Sequence, residues 1–286
     1  MSEMGNKRVG VIGAGTMGRG IAQVFAQAGY EVGIFDMLPA AIESARAQID
    51  KMLDRAVEKN RISAEDAAGA KGRIHPVGRL AELGTCSLMI EAVIEKLDAT
   101  AEVLQEAQAC LADDGILASN TSRISITQLA ATTAQPDRFI GMHFFNPVPL
   151  MRLVEVVRGL QTSDETVERT MAWAKSVGKT PVLCNDHPGF ISNRVLMPMI
   201  NEAISCVQDG VADARAIDEI MTLGMNHPMG PLALADLIGL DVCLDIMEVL
   251  HRDLGEDRYR PSPLLRKMVQ AGRLGRKAKR GFYPYD

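Results

Sequence analysis

The stretch Val9-Gly10-Val11-Ile12-Gly13-Ala14-Gly15-Thr16-Met17-Gly18 decides the fold. Its first half is a short β-branched run ending in glycine, its second half is G-x-G-x-x-G, and Arg19 to Ala28 then carries apolar residues at helical spacing. In that strand-turn-helix context each glycine has a reason. The first permits the tight turn, the second lets the backbone approach a pyrophosphate, and the third lets the helix pack closely on the strand with its N-terminus facing the phosphates. A second β-rich run, Val32 to Asp36, ends in a carboxylate 18 positions after Gly18, close to the ~20 at which an acid meets the ribose hydroxyls of a dinucleotide. A carboxylate repels a 2′-phosphate, and Met37, Leu38 and Pro39 supply no arginine. Gly13, Gly15, Thr16, Met17, Gly18 and Asp36 therefore predict an NAD site rather than an NADP site.

Further along the chain, β-rich runs at Leu88 to Val93, Gly115 to Ser119, Arg138 to Phe145, Arg152 to Val157 and Pro181 to Cys184 alternate with helical spacing at Ala40 to Lys59, Ala99 to Leu111 and Asp164 to Ser176. That alternation predicts an α/β fold, a Rossmann-type parallel sheet with crossover helices. At Asp186-His187-Pro188-Gly189 the pattern changes, and helical spacing continues to GFY near the end. The expected organisation is an NAD-binding domain over 1-187 and an all-helical substrate-binding and dimerisation domain over 188-286.

Composition narrows the function. The 286 residues carry 31 basic and 36 acidic side chains, a net charge of −5, and no long basic block. This disfavours nucleic acid and anionic membrane as partners. Apolar residues make up 47% of the chain, yet charged residues or glycine break every stretch short of the ~18 consecutive apolar positions a bilayer span needs. The five cysteines, Cys86, Cys110, Cys184, Cys206 and Cys243, are odd in number and never form C-x-x-C, so they read as reduced thiols in a cytoplasmic setting. Met1 to Arg8 leaves no room for a targeting segment. His187 and His227 neighbour prolines without a second ligand at metal spacing, so no metal is expected.

The strand ending near His143 and the next one, carrying Glu155, are joined by Asn146-Pro147-Val148-Pro149, so their residues can face each other across neighbouring strands. An imidazole beside a carboxylate is a general base with an orienting partner. Read alone, the pair also fits a satisfied histidine at a strand end.

The segments Ser119-Asn120-Thr121-Ser122, GMHFFNPVPLMRLVEVV, Pro188-Gly189-Phe190-Ile191-Ser192-Asn193-Arg194 and His227-Pro228-Met229-Gly230-Pro231 together resemble the 3-hydroxyacyl-CoA dehydrogenase family, and within it the short bacterial members acting on 3-hydroxybutyryl-CoA. The resemblance covers essentially the whole chain. It implies NAD-dependent, reversible oxidation of an (S)-3-hydroxyacyl-CoA, His143 as catalytic base, Glu155 as its acidic partner, and Ser122 and Asn193 as donors to the substrate oxygen. It further implies that Asn146 and Glu95 line the substrate and nicotinamide region, that the site lies in the cleft between the domains, and that the protein is a homodimer. Three positions depart from the family pattern: Arg123 follows the SNTS segment in place of serine, Thr100 stands where a lysine is usual, and the C-terminal signature reads Gly275-Arg276-Lys277-Ala278-Lys279-Arg280-Gly281-Phe282-Tyr283.

Weaker signals remain. Lys51, Arg55 and Lys59 are four apart on a helical stretch and form a candidate contact for the phosphates of coenzyme A, although Asp54 and Glu58 dilute the patch and a solvated face reads as well. Met197, Met199, Met221, Met225 and Met229 suit core filling better than an acyl pocket. His143, Glu155, Ser122 and Asn193 would also serve an NAD-dependent dehydrogenase of a small hydroxy or sugar acid. A catalytically silent, crystallin-like NAD binder is a rival that the complete acid-base set argues against.

Overall fold

The structure, a computed structural model, describes residues 7–286. The expectation of no targeting segment over Met1 to Arg8 therefore falls, for residues 1–6, outside the described residues. The chain divides into two compact units, one ending at Asp186 and one running His187–Asp286.

The first unit is built on one sheet of eight strands, β1 (Arg8–Ile12), β2 (Glu31–Phe35), β3 (Ile74–Pro76), β4 (Leu88–Glu91), β5 (Ile116–Ser119), β6 (Phe139–Phe144), β7 (Leu153–Arg158) and β8 (Thr180–Asn185), in the order β3-β2-β1-β4-β5-β6-β7-β8. Helices α1 (Thr16–Gln27), α2 (Pro39–Glu58), α3 (Ala64–Gly72), α4 (Leu97–Cys110), α5 (Ile126–Ala130) and α6 (Asp164–Ser176) lie between them in sequence. The first six strands pair in parallel, the doubly wound order in which ligands bind beyond the strands' carboxyl ends where the order reverses, here between β1 and β4. Strands β4, β5 and β6 are buried at every position, which is why they read as nearly continuous apolar runs instead of alternating.

The expected parallel sheet is corrected at one place. β7 runs antiparallel to β6, with His143 opposite Glu155, and β8 then runs parallel to β7. Only eight residues separate β6 from β7, too few for the crossover of a dozen or more that a parallel neighbour needs. Strand β3 has no counterpart among the sequence runs. It is three residues long and ends in Pro76, which an edge strand tolerates because one side of its ladder is unused.

The second unit is helical among its regular elements: α7 (Ser192–Gln208), α8 (Ala214–Gly224), α9 (Pro231–Ile238), α10 (Leu240–Leu254) and α11 (Pro263–Gln270). Its core gathers Ile200, Ile204, Leu232, Leu240, Leu250 and Leu265. Of the five clustered methionines, Met197 is in that core and Met225 is 61% exposed. The divergent C-terminal signature folds back on buried Asp236, whose carboxylate accepts the amides of Phe282 and Tyr283 at 3.0 Å each. Lys279 there takes the left-handed conformation, φ 58°, which costs a residue with a Cβ more than it costs glycine. No helix among the described residues is long and apolar enough to cross a membrane.

Candidate active site

The candidate catalytic and cofactor-binding residues of the first unit sit at or just beyond the carboxyl end of a parallel strand or directly opposite one. At β1, Gly13 has φ 101°, and a Cβ on it would meet the Ala92 carbonyl oxygen at 2.5 Å. A Cβ on Gly18 would lie 1.8 Å from the Gly13 carbonyl oxygen, so the third glycine is imposed by the close packing of α1 on β1. Gly15 differs: a Cβ there has no protein atom within 4 Å. It is the N-cap of α1, and the N-terminus of a helix is where an anion such as a pyrophosphate is bound. Thr16 and Met17 open the helix itself. Asp36, just past β2, accepts the Ala14 amide at 2.8 Å and the Leu38 amide at 2.9 Å, which fixes its carboxylate beside the glycine loop. These features fit NAD. Asp36→Ala is expected to weaken NAD binding and relax the rejection of NADP, read as the two KM values; a wild type that prefers NADP would contradict the role given to Asp36.

Beyond β4 and β5 two turns are tied together. Glu95 accepts the Thr121 hydroxyl at 2.7 Å, the Ser122 amide and the Ser122 hydroxyl, the last at 3.1 Å. The guanidinium of Arg123 lies 3.1 Å from the same carboxylate and donates to the Glu95 carbonyl at 3.4 Å. Thr100 is 1% exposed, with its hydroxyl donating to the Ile94 carbonyl at 3.4 Å. The cation that meets Glu95 is Arg123.

The turn beyond β5 is also tied to β6. Asn120 accepts the Phe144 amide at 3.0 Å through its side-chain oxygen. One residue before Phe144, His143 Nδ1 meets Glu155 Oε2 at 2.8 Å, both side chains being buried. The carboxylate accepts the Nδ1 proton, which leaves the lone pair of the neutral ring on Nε2. Phe145 packs on the imidazole with ring centroids 4.6 Å apart. Asn146 is exposed beyond the end of β6, on a loop held from beneath by Lys179, whose ammonium donates to the carbonyls of Val148 and Met151.

The structure therefore brings His143 and Glu155 together, and separately Glu95, Ser122 and Arg123, with Asn120 linking the two groups. Asn193 lies in the first turn of α7, on the helical unit. Lys51 and Arg55 lie on α2 and Lys59 caps its end, all three exposed, with the Lys71–Asp54 pair at 2.7 Å nearby. Cys184 on β8 is buried, and burial first, with Glu155 and Asp186 adding to it, pushes its thiol up to about 12. It is no nucleophile near neutral pH. No group of metal-ligating side chains occurs among the described residues.

Sequence reasoning missed Glu91, which is 3% exposed at the end of β4. Its carboxylate accepts the Ser119 hydroxyl at 2.5 Å and the Val93 amide at 2.7 Å. Burial pushes it up to about 7, against the opposing pull of those hydrogen bonds. The available signal was an acid closing an otherwise apolar strand, where charged residues are almost never fully buried without partners.

Comparison with known proteins gives two family matches: the 3-hydroxyacyl-CoA dehydrogenase NAD binding domain over residues 8–187, and the 3-hydroxyacyl-CoA dehydrogenase C-terminal domain over residues 189–285. A Deinococcus radiodurans protein named Probable 3-hydroxybutyryl-CoA dehydrogenase is 55% identical, over 97% of this chain and 100% of its own. The 3-hydroxybutyryl-CoA dehydrogenase of Bradyrhizobium diazoefficiens is 50% identical over 98% of this chain and 95% of its own. The crystal structure of (S)-3-hydroxybutyryl-CoA dehydrogenase from Ralstonia eutropha superposes with a TM-score of 0.95 at 48% identity, covering 98% of this chain and 99% of that one.

Proposed function

The chain belongs to the 3-hydroxyacyl-CoA dehydrogenase family, and from that premise we propose that it oxidises (S)-3-hydroxybutyryl-CoA reversibly, with His143 as the proton acceptor. It is an NAD-dependent oxidoreductase acting on 3-hydroxyacyl-CoA. The observation that carries the residue-level reading is the buried His143–Glu155 pair at 2.8 Å.

NAD, held by the Gly13 to Gly18 loop and Asp36, would supply the acceptor for the hydride leaving C3 of the substrate. The proton of the C3 hydroxyl passes to Nε2 of His143, and Glu155, paired to Nδ1, stabilises the imidazolium that results. Ser122 donates to the C3 oxygen, turning its hydroxyl away from Glu95 to do so, and Asn193 is proposed as the donor from the helical unit. Asn146 lines the acyl side, and Lys51, Arg55 and Lys59 supply a solvent-facing contact for the coenzyme A phosphates. Glu95 braces the turn that carries Ser122.

The test is a panel of 3-hydroxyacyl-CoA esters from four carbons upward, with free hydroxy and sugar acids alongside, followed by NADH absorbance. Short esters are expected to turn over fastest and free acids not at all. Faster turnover of a free hydroxy acid would move the substrate assignment off coenzyme A. The five free cysteines support a cytoplasmic setting, and the chemistry suits short-chain steps of fatty acid β-oxidation and butanoate metabolism.

The proposed assembly is a homodimer through the helical unit, which exposes Val195, Ile220 and Leu223 at 68%, 62% and 84%, apolar side chains that a second copy would cover. Light scattering is expected to give about twice the chain mass of 31.0 kDa. A mass equal to one chain at assay concentration would contradict it.

A further inference from the structure

We propose that the ionised carboxylate of Glu91 is a positioning residue that holds the two turns carrying Glu95 and Ser122 in working register. The proposal rests on the reaction assigned above but is carried by separate geometry. Glu91 and Ser119 are register partners at the ends of β4 and β5. One carboxylate oxygen accepts the Val93 amide, at the start of the turn leading to Glu95, and the other accepts the Ser119 hydroxyl. Ser119 in turn accepts the Thr121 amide at 3.2 Å, and the Glu91 carbonyl accepts the Asn120 amide at 2.8 Å. The same turn leading to Glu95 begins with Ala92, the residue against which Gly13 packs. One buried side chain thus touches the turn bearing Glu95, the turn bearing Ser122 and, through Ala92, the floor of the dinucleotide loop.

The anion makes this arrangement with both oxygens purely accepting. Protonation turns one of those oxygens into a donor, and a glutamine replaces one with an amide that can only donate. If the acceptor keeps the Val93 amide, the donor faces Ser119, whose own proton then loses its partner at a position that is 0% exposed. The turn must shift or the hydroxyl must rotate, and displacements on the ~1 Å scale near reacting groups cost up to ~10²-fold in rate. The groups around Glu91 leave the balance delicate. Its register partner on the β1 side is Ile12, its β5 partner is the uncharged Ser119, and the charge acting on it from the turn is Glu95, itself paired to Arg123. With burial and Glu95 opposing ionisation, the carboxyl sits at about 7 against an ordinary 4.5. A carboxyl raised in this way makes folding less favourable as pH climbs: its contribution is fully present below the ordinary value and is lost as pH rises through about 7. Holding the anion in place therefore costs stability in the pH range where it organises the site.

The experiment compares wild type with Glu91→Gln across pH, as ratios, so that titrations shared by the two proteins cancel. The kcat ratio of wild type to variant is expected to be near one at about pH 5.5 and to rise to about tenfold or more by about pH 8.5, with its midpoint near 7. In the same buffers without substrate, the Tm of the variant is expected to gain on the wild type as pH rises through 7, so that the less active protein becomes the relatively more stable one. A purely structural role would lower both activity and Tm together. A kcat ratio near one at about pH 8.5, or a loss of kcat matched by an equal loss of Tm at every pH, would overturn the proposal. Should wild type oxidise no acyl-CoA ester, the functional reading fails by itself, and the Tm comparison, which needs no substrate, still decides whether Glu91 ionises in the folded protein near pH 7. If Glu91→Gln does not fold, Ser119→Ala, which removes the donor and keeps the carboxyl, must lower kcat above pH 7; an unchanged kcat there would overturn the proposal equally.

Discussion

His143→Ala is expected to lose turnover of 3-hydroxybutyryl-CoA at every pH, by roughly the 10² to 10⁴ that a positioned general base contributes, while NAD still binds. The imidazole is buried at the end of β6 with Nδ1 committed to Glu155 at 2.8 Å, so one ring nitrogen is fixed by the protein and the other is the basic one. Alanine removes the base, and Glu155, lying 12 residues on across an antiparallel pair, does not move into its place because it is anchored in β7. Glu155→Gln should fail differently. Glutamine can still hydrogen-bond Nδ1, but it carries no charge to stabilise imidazolium and can donate to the ring, which would select the wrong tautomer. Both variants leave Gly13 to Gly18 and Asp36 untouched, so NADH titration should match wild type. Near-normal turnover by His143→Ala would require a different base.

Gly18→Ala is expected to abolish NAD binding and to destabilise the first unit as well. Its Cβ would stand 1.8 Å from the Gly13 carbonyl oxygen, a backbone atom that cannot swing aside. Gly13 in turn is wedged against the Ala92 carbonyl, so relief requires moving α1 off β1, at about 1 to 3 kcal/mol for overpacking. Gly15→Ala is the informative contrast. With no protein atom within 4 Å of the added methyl, its Tm should stay at the wild-type value while NAD affinity falls, because the space it enters is the cofactor's. Thermal melts and NADH fluorescence titrations of the two variants separate these outcomes. If Gly15→Ala bound NAD as tightly as wild type, the loop would not be cradling the pyrophosphate.

The sequence made the sheet legible because parallel strands buried on both faces are nearly continuous apolar runs, and because the helices between them show their own spacing. The reversal of β7 was foreshadowed by the short link after His143, since a connection of that length permits an antiparallel neighbour and not a crossover. Strand β3 was illegible: three residues with a proline and an exposed histidine carry no period at all. In the site, His143, Glu155 and Ser122 could be named because imidazole, carboxylate and hydroxyl announce their chemistry and the surrounding segments resemble a family. Glu91 could not, because its role depends on a cross-strand register and two hydrogen bonds that no local spacing encodes. The pairing of Arg123 with Glu95 was hidden for the same reason.

The most direct test of the central claim is the rate of NADH formation from NAD with (S)-3-hydroxybutyryl-CoA, run beside the R enantiomer and free 3-hydroxybutyrate. If His143 is the base through Nε2 and Gly13 to Gly18 with Asp36 hold the cofactor, as proposed, hydride would leave C3 from one face, so the S ester should produce NADH and the other two should not. Equal rates with both enantiomers, or NADH from the free acid alone, would contradict the assignment of this site to 3-hydroxyacyl-CoA oxidation.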